Sequence, residues 1–145
     1  MNAEEGGMSF ASDEEVEGVL RGFESCALEP SKFGHREHLA VAVCYLRRGD
    51  PEAALGRVRE GIYNFLRRHG EDTNVYSETV TVFWLRRVQS LLKAGDARTL
   101  AEATNGVLAA CADSKVIYGY YSRELLATDE ARASLVEPDL RPLDF

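Results

Sequence analysis

The sequence predicts an all-α protein: a compact single-domain helical bundle of about five to seven helices with an extended C-terminal tail. Apolar residues recur every three or four positions along most of the 145 residues. Capping residues, glycines and prolines divide this pattern into helix-length segments, and no segment alternates as a β-strand would. We expect a flexible leader over 1–11, a helical domain over 12–135 and a tail over 136–145.

The first two helices are predicted from their start and stop signals. Ser12 and Glu15 are spaced as a capping box, which opens a helix over about 12–28. A second helix follows over about 35–48 and ends at a glycine.

The third and fourth helices have equally clear boundaries. Asp50 followed by Pro51 is typical of a helix start, and Gly70 closes that third helix. Because only about two residues separate it from the second helix, the pair should form an antiparallel hairpin. A polar loop then leads to a fourth helix over about 77–94.

The last third of the chain is predicted to contain shorter elements. Asp96 is a candidate cap for a fifth helix over 97–111, and an aromatic segment follows it. Thr128 marks the start of a last short helix. Two prolines in the tail predict an extended segment that lies over the surface or docks into a groove.

Composition limits the classes of function. The net charge of −7 argues against a nucleic-acid groove, because phosphate binding needs clustered positive charge. No apolar run is long enough for a membrane span, and the acidic start of the chain is unlike a secretory signal. The three cysteines, which have no CxxC spacing, are expected to be buried small residues in a reducing compartment. We therefore expect a cytoplasmic protein without nucleic-acid or membrane partners.

The candidate site begins with His35 and His38, which stand three residues apart in the first turn of the second helix. At about 100° per residue, His35 points along the middle of that helix's apolar stripe and His38 flanks it. Both rings should therefore face the core or a cleft leading into it. The helix N-terminus and burial both favour the neutral imidazole, which ligates metals and accepts protons. The alternative is a structural pair that is hydrogen-bonded to backbone or acidic groups.

Glu78 is the best candidate for a third group. It begins the fourth helix as the histidines begin the second, so a parallel arrangement of these two helices would bring them to the same end. His35, His38 and Glu78 are then the predicted metal ligands, with a divalent metal as the predicted cofactor. The alternative for Glu78 is a first-turn carboxylate that interacts favourably with the helix dipole.

Further residues are predicted to line the same end, although aromatic residues in this position more often close a core. The third histidine, His69, is excluded from the site because it lies at the end of the third helix, where its ring should interact with the terminal carbonyl groups. The candidates are Tyr76, Trp84, Tyr120, Tyr121 and Arg123.

Several spaced elements carry a resemblance to a family. Phe-x-His-x-x-His-Leu begins at Phe33, Tyr-x-Glu-Thr-x-Thr-x-x-Trp covers 76–84, and Tyr-Tyr-Ser-x-Glu-x-Leu begins at Tyr120. With these elements, and with Glu-Pro-Asp-Leu-x-Pro-Leu over 137–143, the chain resembles a family of small bacterial all-α proteins without an established activity. The resemblance covers about 35–143 and implies one compact domain.

Ser77 departs from the pattern of that family, which often has histidine at this position. Serine caps a helix better than histidine but binds metal less well, and the substitution weakens the prediction of a metal site.

Two functions from different classes follow from the sequence. The first is a binding or catalytic domain whose polar pocket, formed by His35, His38 and Glu78, holds a small molecule or a metal. The second is a noncatalytic protein–protein interaction module whose groove or tail engages a protein partner while the histidines are structural. No feature of the sequence names a substrate or a reaction.

Overall fold

The computed structural model describes residues 9–145, a range that contains helices and no β-strand. The predicted all-α class is confirmed, while residues 1–8 of the predicted leader lie outside the described residues. None of the helices in 9–145 has the length and apolar character needed to cross a bilayer. The α-helices are α1 (Asp13–Glu24), α2 (His35–Arg47), α3 (Pro51–Arg68), α4 (Glu78–Ala94), α5 (Leu100–Cys111), α6 (Arg123–Leu126) and α7 (Asp129–Ala133). Three 3₁₀ helices, Pro30–Lys32, Thr73–Val75 and Ser114–Gly119, connect them.

Helix α1 is shorter than the sequence predicts. Ser12 Oγ accepts the Glu15 N–H at 3.3 Å as expected, but the Glu15 carboxylate accepts from the Ala11 N–H rather than from Ser12. The helix ends at Glu24 because Cys26 adopts a left-handed conformation with φ of 63°. This reverses the chain four residues before the predicted end near 28.

Helices α2, α3 and α4 pack against one another and form the frame of the molecule. The rings of Phe33, just before α2, and Phe65, near the end of α3, lie 5.0 Å apart. Tyr63 and Tyr76 likewise connect the last turns of α3 to the start of α4, with ring centroids 4.9 Å apart. The starts of α2 and α4 therefore lie at the same end of the bundle, where α3 ends.

Helix α5 begins three residues later than predicted. Thr99, and not Asp96, caps it: Thr99 Oγ1 accepts the Glu102 N–H and the Glu102 carboxylate accepts the Thr99 N–H, both at 3.1 Å. This reciprocal pair satisfies two of the free N–H groups at the helix start, which a single aspartate farther upstream does not.

The buried side chains form two clusters. The main cluster lies between α1 and α5, around α2, which is buried from Leu39 to Leu46. A second cluster, here called the aromatic cluster, consists of Phe83, Ile117, Tyr120 and Tyr121. Trp84 packs against both.

The tail packs against the aromatic cluster. Val136, Leu143 and Phe145 are partly buried on it. Tyr121 donates a hydrogen bond to the Val136 carbonyl at 2.8 Å, and Tyr120 donates one to Asp144 at 2.6 Å. The tail is thus part of the folded domain.

Candidate functional site

An open cavity of about 760 Å³ lies at the end of the bundle where α2 and α4 begin and α3 ends. This volume falls within the range of small-molecule sites, about 300–1,000 Å³. The second 3₁₀ helix, the third 3₁₀ helix and α6 complete its walls. Its wall is mostly apolar and aromatic, with contributions from Phe33, Leu39, Ile62, Phe65, Leu66, Val75, Val80, Trp84 and Tyr118.

His38 lines this cavity in a single tautomer. Its Nδ1 lies 2.8 Å from the Gly34 carbonyl oxygen, which only accepts, so Nδ1 carries the hydrogen. The ring stacks on Phe33 with centroids 4.0 Å apart. Although His38 reaches solvent through the cavity, the surrounding protein lowers the pKa of the imidazole by desolvation. The neutral ring therefore offers Nε2 as a hydrogen-bond acceptor.

His35 is held in the opposite tautomer. Its Nε2 donates to the carbonyl of Cys111, the last residue of α5, at 2.7 Å. The ring meets Trp84 edge-on at 4.7 Å. This hydrogen bond joins the start of α2 to the end of α5 and leaves Nδ1 as the acceptor of the neutral ring. Both histidines line the cavity, as the helical periodicity predicts.

Glu78 lies outside the wall of this cavity. Its carboxylate accepts two hydrogen bonds from Arg59 on α3, from Nε at 2.9 Å and from Nη2 at 2.6 Å. Tyr76 donates a third at 2.7 Å. The Arg59 guanidinium, followed by the Tyr76 hydroxyl, holds the pKa of Glu78 below its ordinary value. Glu78 is therefore an ionised structural carboxylate that connects α3 and α4.

The predicted metal ligands are not brought together. Within residues 9–145, no three His, Cys, Asp or Glu side chains are grouped so that they could hold a metal ion. His35 and His38 share the cavity, but Glu78 is bound by Arg59 and stands apart from them. Ser77 caps α4, where its Oγ accepts the Val80 N–H at 3.2 Å.

The other sequence candidates divide between wall and core. Tyr76 and Trp84 line the cavity. Tyr120 and Tyr121 do not, because both are buried in the aromatic cluster. His69 donates to the Cys26 carbonyl, beyond the end of α1, and not to a carbonyl of its own helix.

Arg123 lines the cavity, together with a cation that sequence reasoning missed. The Arg123 guanidinium lies 3.9 Å above the ring of Tyr118, and Lys115 stands on the same third 3₁₀ helix as that tyrosine. Both residues belong to a short 3₁₀ helix and not to a long amphipathic α-helix, so no α-helical pattern marks them as wall residues. Arg59 was missed because its partner, Glu78, is 19 residues away on another helix.

The cavity differs in charge from the protein as a whole. The protein carries −7, whereas Glu71 is the one acidic side chain in this wall among the described residues. Against it stand the two cations Lys115 and Arg123. Apart from the two histidines, the wall therefore carries one net positive charge.

Comparison with known proteins found no matching family model, no similar curated protein and no similar solved structure.

Proposed function

We propose that this protein binds a small organic molecule with a mainly apolar body in the cavity between α2, α3 and α4. The observation that carries the proposal is the aromatic wall of Phe33, Phe65, Trp84 and Tyr118 around a space of about 760 Å³. An apolar ligand that binds against such a wall loses its contact with water, which favours binding, and a few polar groups then orient the ligand.

The histidine pair supplies two of those polar groups. Each ring donates one hydrogen to a backbone carbonyl, which fixes its orientation and leaves the other nitrogen as an acceptor. A ligand hydroxyl or N–H group is the complement of such an acceptor. The pair would therefore serve recognition, with His38 remaining neutral at pH 7 because its pKa is lowered.

An organic ligand suits this site better than a divalent metal. The carboxylate expected as third ligand is engaged by Arg59, and a wall that already carries two cations disfavours a further one. A small organic ligand is also favoured over a protein partner that would bind the tail, because the tail already packs on the aromatic cluster of the same chain.

The compartment and the excluded partners belong to the same proposal. Cys26, Cys44 and Cys111 are free, and two of them are buried, which suits the reducing cytoplasm. The net charge of −7 supports a ligand other than nucleic acid.

The test uses Trp84, the single tryptophan of the chain, as a reporter in the cavity wall. The probe is N-phenyl-1-naphthylamine, a neutral apolar fluorophore that accepts energy from tryptophan. We expect saturable binding, with enhanced probe emission and quenched Trp84 emission. Because energy transfer falls steeply with distance, the quenching locates the probe near Trp84.

A matched pair of variants makes this test specific. Leu66→Glu places a carboxylate in the cavity wall, whereas Leu140→Glu adds the same charge at a side chain that is 58% exposed elsewhere. Leu66 is outside the main cluster, so both variants should fold, which a thermal melt verifies. We expect Leu66→Glu to weaken probe binding at least about tenfold, because the charge must be desolvated beside the probe. Equal binding by the two variants, or no saturable binding by the wild type, would refute the proposal.

A further inference from the structure

Lys115 and Arg123 are the two cationic side chains of the cavity wall among the described residues, and neither forms an ion pair with a carboxylate. Within the described residues, the ion pairs join Arg36 to Glu37, Arg59 to Glu78, Arg132 to Asp129 and Arg141 to Asp144. Neither Lys115 nor Arg123 appears in any of them, although the chain has seven more acidic than basic residues. What sets these two cations apart is their position, because both stand in one mainly apolar cavity wall of an acidic protein, where they offer a binding position for an external anion.

Tyr118 supports this arrangement. The Arg123 guanidinium stacks on its ring at 3.9 Å, a contact that fixes the plane of the cation while its N–H groups stay free to donate. Lys115 comes from the same 3₁₀ helix, three residues before Tyr118. Residues three apart in a 3₁₀ helix lie on the same side, so the lysine and the tyrosine share one face.

Neither Glu71 nor the histidine pair is suited to bind an anion. Glu71, the one acidic side chain of this wall among the described residues, is exposed in the loop that follows α3. The histidines are acceptors in their neutral form and would repel a carboxylate rather than bind it.

From this arrangement we infer that the ligand is an organic acid, whose anionic group binds Lys115 and Arg123 and whose apolar body lies along the aromatic wall. This inference rests on the proposed function and adds the chemical class of the ligand. A carboxylate is the anion best suited to a planar guanidinium, which it can engage through two N–H groups. Both cations are exposed, so their contribution should be moderate and sensitive to salt.

The test compares three ligands that share one apolar chain and differ in charge: octanoate, octanamide and octylamine. Each competes with N-phenyl-1-naphthylamine, so binding of the probe itself reports on the proposed function independently. We expect octanoate to displace the probe at about tenfold lower concentration than octanamide, and octylamine to be the weakest. The preference for octanoate should shrink when the salt concentration in the assay is raised from about 20 mM to about 300 mM, because salt screens exposed charges.

Variants then assign the preference to its residues. The double variant Lys115→Gln, Arg123→Gln should bind octanoate and octanamide equally. Lys93→Gln, at an exposed lysine outside the cavity wall, is the control and should keep the wild-type preference.

Three results would overturn the inference. Equal displacement by octanoate and octanamide, or a preference that survives in the double variant, refutes the anion site while leaving the cavity as a site for apolar ligands. Displacement by octylamine ahead of octanoate refutes it in favour of Glu71 as the charged partner. If the probe itself shows no saturable binding, the proposed function fails and the anion site fails with it.

Discussion

At the scale of single residues, partners decide which polar groups are available for a ligand. Glu78, a plausible metal ligand by sequence, accepts hydrogen bonds from Arg59 and Tyr76 and is only 13% exposed. The histidines, by contrast, use one nitrogen each for a backbone carbonyl and keep the other. Availability therefore depends on unsatisfied atoms and not on residue type.

The Glu78 ion pair should contribute measurably to stability. We expect Glu78→Gln to lower the free energy of unfolding by about 1–2 kcal/mol at pH 7, a value that allows for the 40% exposure of Arg59. Because the folded-state pKa of Glu78 is lowered, this contribution is complete above the ordinary value of 4.5 and is lost as the pH falls through the folded-state pKa. Urea unfolding between pH 7 and pH 3 measures it.

Glu60→Gln is the matched control, because Glu60 is an exposed glutamate on the neighbouring helix α3. Equal stability of the two variants across this pH range would contradict the structural role of Glu78.

His38 should make stability depend on pH near neutrality. Its folded-state pKa is lowered from 6.5, so the unfolded chain binds more protons and stability falls as the pH drops below 6.5. His38→Phe keeps a ring against Phe33 but removes the titration. We expect its free energy of unfolding to decline less than that of the wild type between pH 7 and pH 5. His35 and Glu37 are the nearby titratable groups and are unchanged in the variant. Parallel curves would show that His38 titrates as an unperturbed imidazole.

How much of the site the sequence predicts depends on the range of the interaction. The inward direction of His35 and His38 follows from the periodicity of one helix, and Ser77 capping α4 follows from local chemistry. The partner of Glu78 lies on another helix, and its side-chain geometry is set by packing that no local pattern encodes. Lys115 is beyond prediction for the same reason, because its position depends on how a 3₁₀ helix follows α5.

At the scale of elements, helix existence is well predicted and helix ends are not. Helices α2, α3 and α4 begin within one residue of their predicted starts. The observed end of α1 and start of α5 differ from the predicted ones. The left-handed conformation of Cys26 ends α1 early, and the reciprocal cap at Thr99 starts α5 late.

Two glycines of α3 allow the effect of side-chain packing on stability to be distinguished from the effect of helix propensity. A Cβ at Gly61 would lie 2.5 Å from ring atoms of Phe23, whereas a Cβ at Gly56 would meet nothing within 4 Å. Phe23 is fully buried, so its ring can move aside only by displacing other core side chains. We expect Gly61→Ala to destabilise the protein by about 1–3 kcal/mol through overpacking. Gly56→Ala, its matched control, should stabilise it by about 0.5–1 kcal/mol. Chemical unfolding of both variants tests the close approach of α1 and α3, and equal values would contradict it.

At the scale of the whole molecule, the aromatic cluster supports one side of the cavity. Tyr118 and Leu126 belong to the cavity wall and also pack on this cluster, which the tail covers. Trp84 connects the cluster to the main core. The tail thus stabilises the third 3₁₀ helix and α6, the two elements that carry the unpaired cations.

The tail should therefore affect both stability and ligand choice. The triple variant Val136→Ala, Leu143→Ala, Phe145→Ala removes three partly buried side chains of the tail. We expect its free energy of unfolding to fall by roughly 3 kcal/mol, about half of what full burial of these side chains would contribute. Leu140→Ala, at a 58% exposed position in the same tail, is the control and should be neutral.

Because Lys115 and Arg123 stand on the elements that the tail covers, the triple variant should also lose the preference for octanoate over octanamide. Its affinity for N-phenyl-1-naphthylamine should change little, since three of the four residues of the aromatic wall, Phe33, Phe65 and Trp84, lie outside the third 3₁₀ helix and α6. Urea unfolding and the competition assay together test this coupling. A destabilised variant with an intact preference would show that the cations keep their positions without the tail.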